Sequence, residues 1–209
     1  MTLVFYICLN LQFQISDHMK GLKELLTDPN SKLKKKNRVK VNHRIYCHAI
    51  SKAFLLRKYA QEDDRKRKEL DRFIKVVEIN APMAIKVYDP QIKDFYEINM
   101  TAIPANHCPG SVMFLFEKKM TTTTESMTAN YFRILYTGDF RFEENEYKTF
   151  PALHEVNGDP KLINELYLDT TFCSTDFETF PMRKSALSAI WRLVNGWIKK
   201  VHNYLLLNY

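Results

Sequence analysis

The sequence PANHCPGSVMFLF, from Pro104 to Phe116, joins a polar turn to a strongly apolar segment. Its apolar end predicts a buried strand, and Cys108-Pro109-Gly110 predicts a tight turn directly after His107. Loops beside rigid strands are where proteins place side chains that bind or react. His107 is therefore a candidate functional residue.

Strands are predicted on both sides of this stretch. Ser111–Phe116 and Phe132–Thr137 have the pattern of a hairpin, joined by a Thr-rich loop at Lys118–Asn130. Further strands are predicted at Leu3–Phe13, Val39–Cys47, Phe73–Ile79, Met83–Tyr88, Tyr96–Ile103 and Leu166–Leu168, and helices at Asp17–Leu26 and Ala49–Tyr59. Predicted strands outnumber predicted helices, and these helices lie between strands along the chain, which indicates a mixed α/β sheet protein.

The last predicted helix has an apolar face at helical spacing. Its members are Leu187, Ile190, Trp191, Val194, Trp197 and Ile198. Because such a stripe normally faces a core, we interpret the two tryptophans as core contacts rather than as a platform for stacking bases.

The composition of the chain limits the classes of protein to which it can belong. With 209 residues, 45% of them hydrophobic, the chain can bury a core. A net charge of +7 permits an anionic partner such as nucleic acid, although solvated basic loops explain the same charge. The four cysteines form no C-x-x-C pair, so no zinc ribbon is indicated. Met1–Leu11 is too short to span a membrane, and no membrane partner is predicted.

Three other acidic or His-containing positions accompany His107. Asp17-His18 lies at a predicted loop-to-helix junction, Asp139 follows Gly138, and Asp169 follows a predicted strand. Taken singly, each is explained as a helix cap or a turn residue. As a set, these positions offer His nitrogen and Asp oxygen atoms, which are zinc ligands. A metal held by such atoms supplies the activated water that phosphodiester hydrolysis needs.

Four runs that occur in order carry a resemblance to a known family. They are DHMKGL from Asp17, PANHCPGSVMFLF from Pro104, LYTGDFR from Leu135 and YLDTTFC from Tyr167. Together they resemble the metallo-β-lactamase/β-CASP nucleases of DNA repair. The resemblance implies a metallo-β-lactamase αββα sandwich over residues 1–165, of which 1–16 are atypical, and the start of a β-CASP domain over residues 166–209.

The resemblance also assigns roles to residues. His107 matches the His of the third motif, Asp139 matches an Asp that bridges two metal positions, and Asp169 matches the acidic residue of β-CASP motif A. Asp17-His18 matches the end of an H-x-H-x-D-H motif, in which Asp17 orients or deprotonates the attacking water. The implied metal ligands are Asp17, His18, His107 and Asp139, and the implied catalytic residues are Asp17, Asp139 and Asp169. The implied metal is zinc or another divalent ion such as magnesium.

The chain departs from that motif at two positions. Phe13 and Ile15 stand where the family has His, so two of the four ligands of the first metal position are missing. The similarity begins at Asp17 and fades after Lys200, and we interpret both ends as foreign sequence joined to family exons by a gene model or a splice form.

The family resemblance implies a function with two alternatives. The family cuts DNA as a 5′ exonuclease, and members also act as structure-specific endonucleases in non-homologous end joining with a kinase partner, which implies a nuclear location. One alternative is an inactive fragment that binds DNA or a repair partner through its basic surface. The other is a small-molecule hydrolase of the same fold, against which the YLDTT run and the basic charge argue.

Overall fold

The computed structural model describes residues 45–60, 64–89, 93–120, 130–143 and 145–207. The predicted strand Leu3–Phe13 and the predicted helix Asp17–Leu26 lie outside these ranges. The described residues divide into two compact units, with the break between Asp169 and Thr170. The assignment of residues 1–165 and 166–209 to named domains stays a prediction.

The described elements include both helices and strands, with six strands following the first two helices, which confirms the mixed α/β class. In chain order they are β1 (Ile45–Cys47), α1 (Ala49–Ala60), α2 (Asp64–Phe73), β2 (Ile74–Val76), β3 (Pro82–Asp89), β4 (Asp94–Pro104), β5 (Val112–Lys119), β6 (Tyr131–Tyr136), β7 (Glu165–Tyr167) and α3 (Arg183–Leu207). Short 3₁₀ helices lie at Glu146–Thr149, Pro151–Leu153 and Thr175–Phe177.

Five strands form the main sheet in the order β3-β4-β5-β6-β7. Neighbours from β3 to β6 are antiparallel, and the predicted hairpin is confirmed by the pairing of β5 with β6. Strand β7 pairs parallel to β6, with Leu135 opposite Leu166. A parallel pair brings the carboxyl ends of both strands to the same edge of a sheet, so the residues that follow β6 and β7 become neighbours.

Strand β5 is buried on both faces. Val112, Phe114 and Phe116 belong to one apolar cluster, and Met113 and Leu115 belong to another. Because successive side chains of a strand point to opposite faces, these clusters lie on opposite sides of the sheet. Burial on both faces explains why the first five residues of β5, 112–116, are continuously apolar rather than alternating.

A buried ion network joins β5, β6 and the segment before β7. Arg133 Nε lies 2.9 Å from Glu117 Oε1, and Arg133 Nη2 lies 2.8 Å from Glu155 Oε1. Lys161 Nζ lies 3.0 Å from the same Glu117 oxygen. The Arg133 side chain is only 8% exposed, so these acidic partners are needed to offset the free-energy cost of burying its charge.

Helix α1 docks on the turn between β4 and β5. Ser51 is buried, and its Oγ donates a hydrogen bond to the Gly110 carbonyl oxygen at 2.8 Å. A Cβ atom on Gly110 would lie 2.8 Å from that hydroxyl and 3.0 Å from the Ser51 nitrogen. Gly110 also has a φ of +83°, so both conformation and space require glycine.

The second unit contains α3 and three phenylalanines in mutual contact. The rings of Phe172, Phe177 and Phe180 lie 5.1–6.1 Å apart between centroids. The predicted core face of α3 is wrong here, since Trp191 and Trp197 are each 66% exposed. The reason is that the described part of this unit supplies only a 3₁₀ turn besides α3, which is too little apolar surface to cover the stripe.

Within the described ranges, no helix combines the length and the apolar character needed to cross a bilayer.

Removing the acidic centre of the ion network should destabilise the fold strongly. Glu117→Ala leaves Arg133 and Lys161 without their shared partner, and breaking a buried pair costs about 3 kcal/mol. Glu155→Ala is the matched control, because Glu155 is 41% exposed and its loss should cost under about 1 kcal/mol. Urea denaturation measures both, and equal losses would contradict the burial argument.

Gly110→Ala and Gly158→Ala separate crowding from backbone strain. Gly158 also has a left-handed φ, +89°, but no atom lies within 4 Å of the position of an added Cβ. Its alanine variant should lose about 1 kcal/mol from strain alone. Gly110→Ala should lose a further 1 kcal/mol or more, roughly, because the methyl group meets Ser51. Thermal unfolding that shows the same loss for both variants would rule out the crowding.

Candidate metal centre

A type II turn and one hydroxyl fix the backbone of His107. The Ser111 nitrogen donates to the Cys108 carbonyl at 2.9 Å, with Pro109 and Gly110 at the central positions, as this turn type prefers. Ser111 Oγ accepts from the backbone nitrogens of His107 at 3.2 Å and Cys108 at 3.1 Å. The predicted tight turn after His107 is therefore confirmed.

The segment after β6 carries Asp139 and is tied to the segment after β7. The Thr137 nitrogen donates to the Tyr167 carbonyl at 3.0 Å. Thr137 Oγ1 donates to the Gly138 carbonyl at 2.8 Å and accepts from the Asp169 nitrogen at 3.1 Å. Gly138 has a φ of +53°, a left-handed conformation that glycine adopts readily. This threonine thus anchors the chain beside both Asp139 and Asp169.

Two hydrogen bonds join the His107 loop to the Asp139 segment. The Arg141 nitrogen donates to the Ala105 carbonyl at 2.8 Å. Asn106 Nδ2 donates to Glu146 Oε1 at 2.6 Å. Each bond links a residue within two positions of His107 to the segment that follows Asp139.

His107 and Asp139 are brought together, as the sequence predicts for residues of one site. His107 Nε2 lies 3.9 Å from Asp139 Oδ2, and the side chains are 25% and 38% exposed. Two ligands bound at 2.0–2.2 Å to one tetrahedral zinc ion lie about 3.4 Å apart. The observed separation is only slightly wider, so the pair fits two positions of a divalent-metal site that solvent can reach.

The remaining predicted site residues divide into two groups. Asp17 and His18 lie outside the described residues, so the predicted set of four ligands stays a prediction. Asp169 is half-buried at the end of β7 and is anchored through its backbone to Thr137. In the part of the chain that the structure describes, no group of three or more His, Cys, Asp or Glu side chains is placed to hold a metal.

The thiol next to His107 is held in its neutral form. Burial is the largest cause that raises the pKa of Cys108, and the negative charge of Asp139 raises it further, while the hydrogen bond with Ser111 lowers it. With a pKa above its ordinary value, this thiol stays protonated at neutral pH.

Four polar residues of the site were not assigned roles from the sequence. Ser111 and Thr137 lie inside the quoted motifs, and their position next to a turn favours hydroxyl contacts with the backbone. Asn106 adopts a φ of +53°, which Asn tolerates better than most residues. Glu146 lies in a later 3₁₀ helix, and no local pattern connects it to Asn106.

Comparison with known proteins identifies relatives that are similar to this chain in sequence. No family model matches the chain. Protein artemis from Pongo abelii is 38% identical over 184 residues, which cover 88% of this chain and 23% of that protein. Protein artemis from Homo sapiens is 37% identical over the same length. The 5′ exonuclease Apollo from Mus musculus is 43% identical over 97 residues, 46% of this chain and 15% of that protein.

The chain spans about a quarter of the length of the artemis proteins that it matches. Their similarity nevertheless extends over most of this chain, well beyond the short runs around His107, Asp139 and Asp169. On these matches, the chain belongs to the Artemis-like nuclease family.

Proposed function

We propose that this chain acts as part of a metal-dependent DNA nuclease of DNA repair. The observation that carries the proposal is the approach of His107 Nε2 to within 3.9 Å of Asp139 Oδ2. These two donors come from loops after different strands, in a chain whose relatives include a protein named as a 5′ exonuclease. Convergence of such donors from separate loops is the usual construction of a catalytic metal site.

The proposed architecture is the αββα sandwich over residues 1–165, followed by the start of a β-CASP domain over residues 166–209. The double-sided burial of β5 supports it, because the central sheets of a sandwich are covered on both faces. The relation to the artemis proteins supports it as well.

Four residues would hold zinc or another divalent ion such as magnesium: Asp17, His18, His107 and Asp139. A metal bound there supplies a Lewis acid and lowers the pKa of water, which is the chemistry that phosphodiester hydrolysis needs. Asp17 orients or deprotonates the attacking water. Asp169 supports the site from the end of β7, where its backbone bonds to Thr137.

The proposed substrate is DNA with broken or damaged ends. The net charge of +7 supports this, since Lys and Arg side chains contact phosphates and position a strand without reading its sequence. The proposal includes 5′ exonuclease and structure-specific endonuclease cutting, a role in non-homologous end joining with a repair kinase, and a nuclear location.

A second candidate function is binding without catalysis. Phe13 and Ile15 occupy the positions of the first two His of H-x-H-x-D-H, and neither side chain has a lone pair to donate to a metal. With two ligands of the first metal position missing, the chain would bind DNA or a repair partner through its basic surface and would not cut.

Zinc binding tests the ligand assignment directly. We expect His107→Ala and Asp139→Ala each to weaken zinc binding at least tenfold, about 1.4 kcal/mol, because each removes one donor. His154→Ala is the control, since the His154 ring bonds to the Phe150 carbonyl at 2.9 Å and is not part of the proposed ligand set. Titration against a chromophoric chelator measures all four proteins. An unmodified chain that takes no zinc, or an equal loss for His154→Ala, would contradict the assignment.

A cleavage assay on 5′-phosphorylated single-stranded DNA separates the two functions. The nuclease proposal expects metal-dependent shortening of the strand that Asp17→Ala and Asp139→Ala abolish. Uncut DNA that the protein binds with an affinity falling steeply as salt rises supports the binding function. A protein that neither cuts nor binds DNA would contradict both.

A further inference from the structure

Asn106 and Glu146 make a short polar contact between the two segments of the candidate site. Asn106 directly precedes His107 and has a left-handed φ of +53°. Its Nδ2 donates to Glu146 Oε1 at 2.6 Å, a short bond of the kind that a charged acceptor gives. Because the acceptor Glu146 lies outside the His107 loop, this hydrogen bond fixes Asn106, the residue directly before His107.

Glu146 is itself held in place by its second oxygen. Glu146 Oε2 accepts a hydrogen bond from the Glu143 nitrogen at 2.9 Å. Both carboxylate oxygens are therefore used, one toward the His107 loop and one toward the segment that follows Asp139. A carboxylate bonded at both ends works as a bridge of fixed length rather than as a mobile surface charge.

A backbone bond makes the same connection at another point. The Arg141 nitrogen donates to the Ala105 carbonyl at 2.8 Å. With the bond from Asn106 to Glu146, it joins the residues just before His107 to the segment that follows Asp139. Two attachment points restrain rotation between the segments, which one point does not.

We propose that Glu146 is a positioning residue of the candidate metal centre. Through Asn106 it holds His107 in the orientation that keeps Nε2 within 3.9 Å of Asp139 Oδ2. The inference rests on the proposed function, because it concerns the same metal site. Metal ligands must be held within about 0.5 Å of productive geometry, and partners behind the ligands supply that restraint.

The position of Glu146 distinguishes this role from general packing. Glu146 is half-buried at the start of a 3₁₀ helix that has no buried residue. Its removal therefore opens no apolar core. Removal of the Glu146 side chain breaks the hydrogen-bonded bridge to Asn106. The structural effect should therefore be concentrated in the two loops that the bridge connects.

Zinc affinity of the whole chain gives the first test. Glu146→Ala should weaken zinc binding 10–100-fold, roughly the effect of losing a partner behind a metal ligand. Glu146→Gln should recover much of that loss, because its carbonyl oxygen still accepts from Asn106. Glu143→Ala is the matched control, since it removes an exposed carboxylate nearby and leaves the backbone nitrogen that bonds to Glu146.

Amide hydrogen exchange in metal-free protein gives the second test. Exchange across residues 105–111 should be faster in Glu146→Ala than in the unmodified chain, and unchanged in Glu143→Ala. Asn106→Gly provides a second way to break the bridge if Glu146→Ala fails to fold, because glycine accepts the φ of +53° without strain. It should lose zinc affinity as Glu146→Ala does.

The outcomes distinguish this inference from the proposed function. An unmodified chain that takes no zinc overturns the proposed function and the positioning role with it. An unmodified chain that binds zinc, with Glu146→Ala and Asn106→Gly binding equally well, overturns the positioning role alone. A lower unfolding temperature with unchanged zinc affinity would assign Glu146 to stability only and would also overturn it.

Discussion

Burial of β5 on both faces is the constraint on which the candidate centre depends. Phe114 packs into one apolar cluster and Leu115 into the other, so the strand can neither twist nor slide without exposing one set. The loop that precedes β5 carries His107, and β6 beside it leads into Asp139. Strand β7 is in register with β6 and leads into Asp169. One doubly buried strand therefore sets the positions of three candidate site residues.

Polar contacts complete the site where packing ends. Beyond the strands, hydroxyl groups of Ser111 and Thr137 bond to the backbone on each side of the centre. The bridge from Asn106 to Glu146 then joins the two sides. This division is physically reasonable, because apolar burial is strong but non-directional, while hydrogen bonds fix direction over the short range that a metal ligand needs.

Local patterns explain which parts of this architecture the sequence predicts. The apolar run of β5, the Pro109-Gly110 turn and the helix at Ala49 each follow from neighbouring residues, and each is present. The parallel pairing of β7 and the bridge from Asn106 to Glu146 join residues far apart, and such contacts leave no periodic signal. Helical periodicity predicts a core contact for the stripe of α3, because the periodicity reports an apolar face but not what covers that face.

The central claim is that His107 and Asp139 hold one divalent metal. Crystals soaked in zinc and measured at the zinc absorption edge test it most directly. We expect an anomalous peak about 2.0–2.2 Å from both His107 Nε2 and Asp139 Oδ2. Zinc bound elsewhere, or no peak between these two side chains at saturating zinc, would contradict the claim.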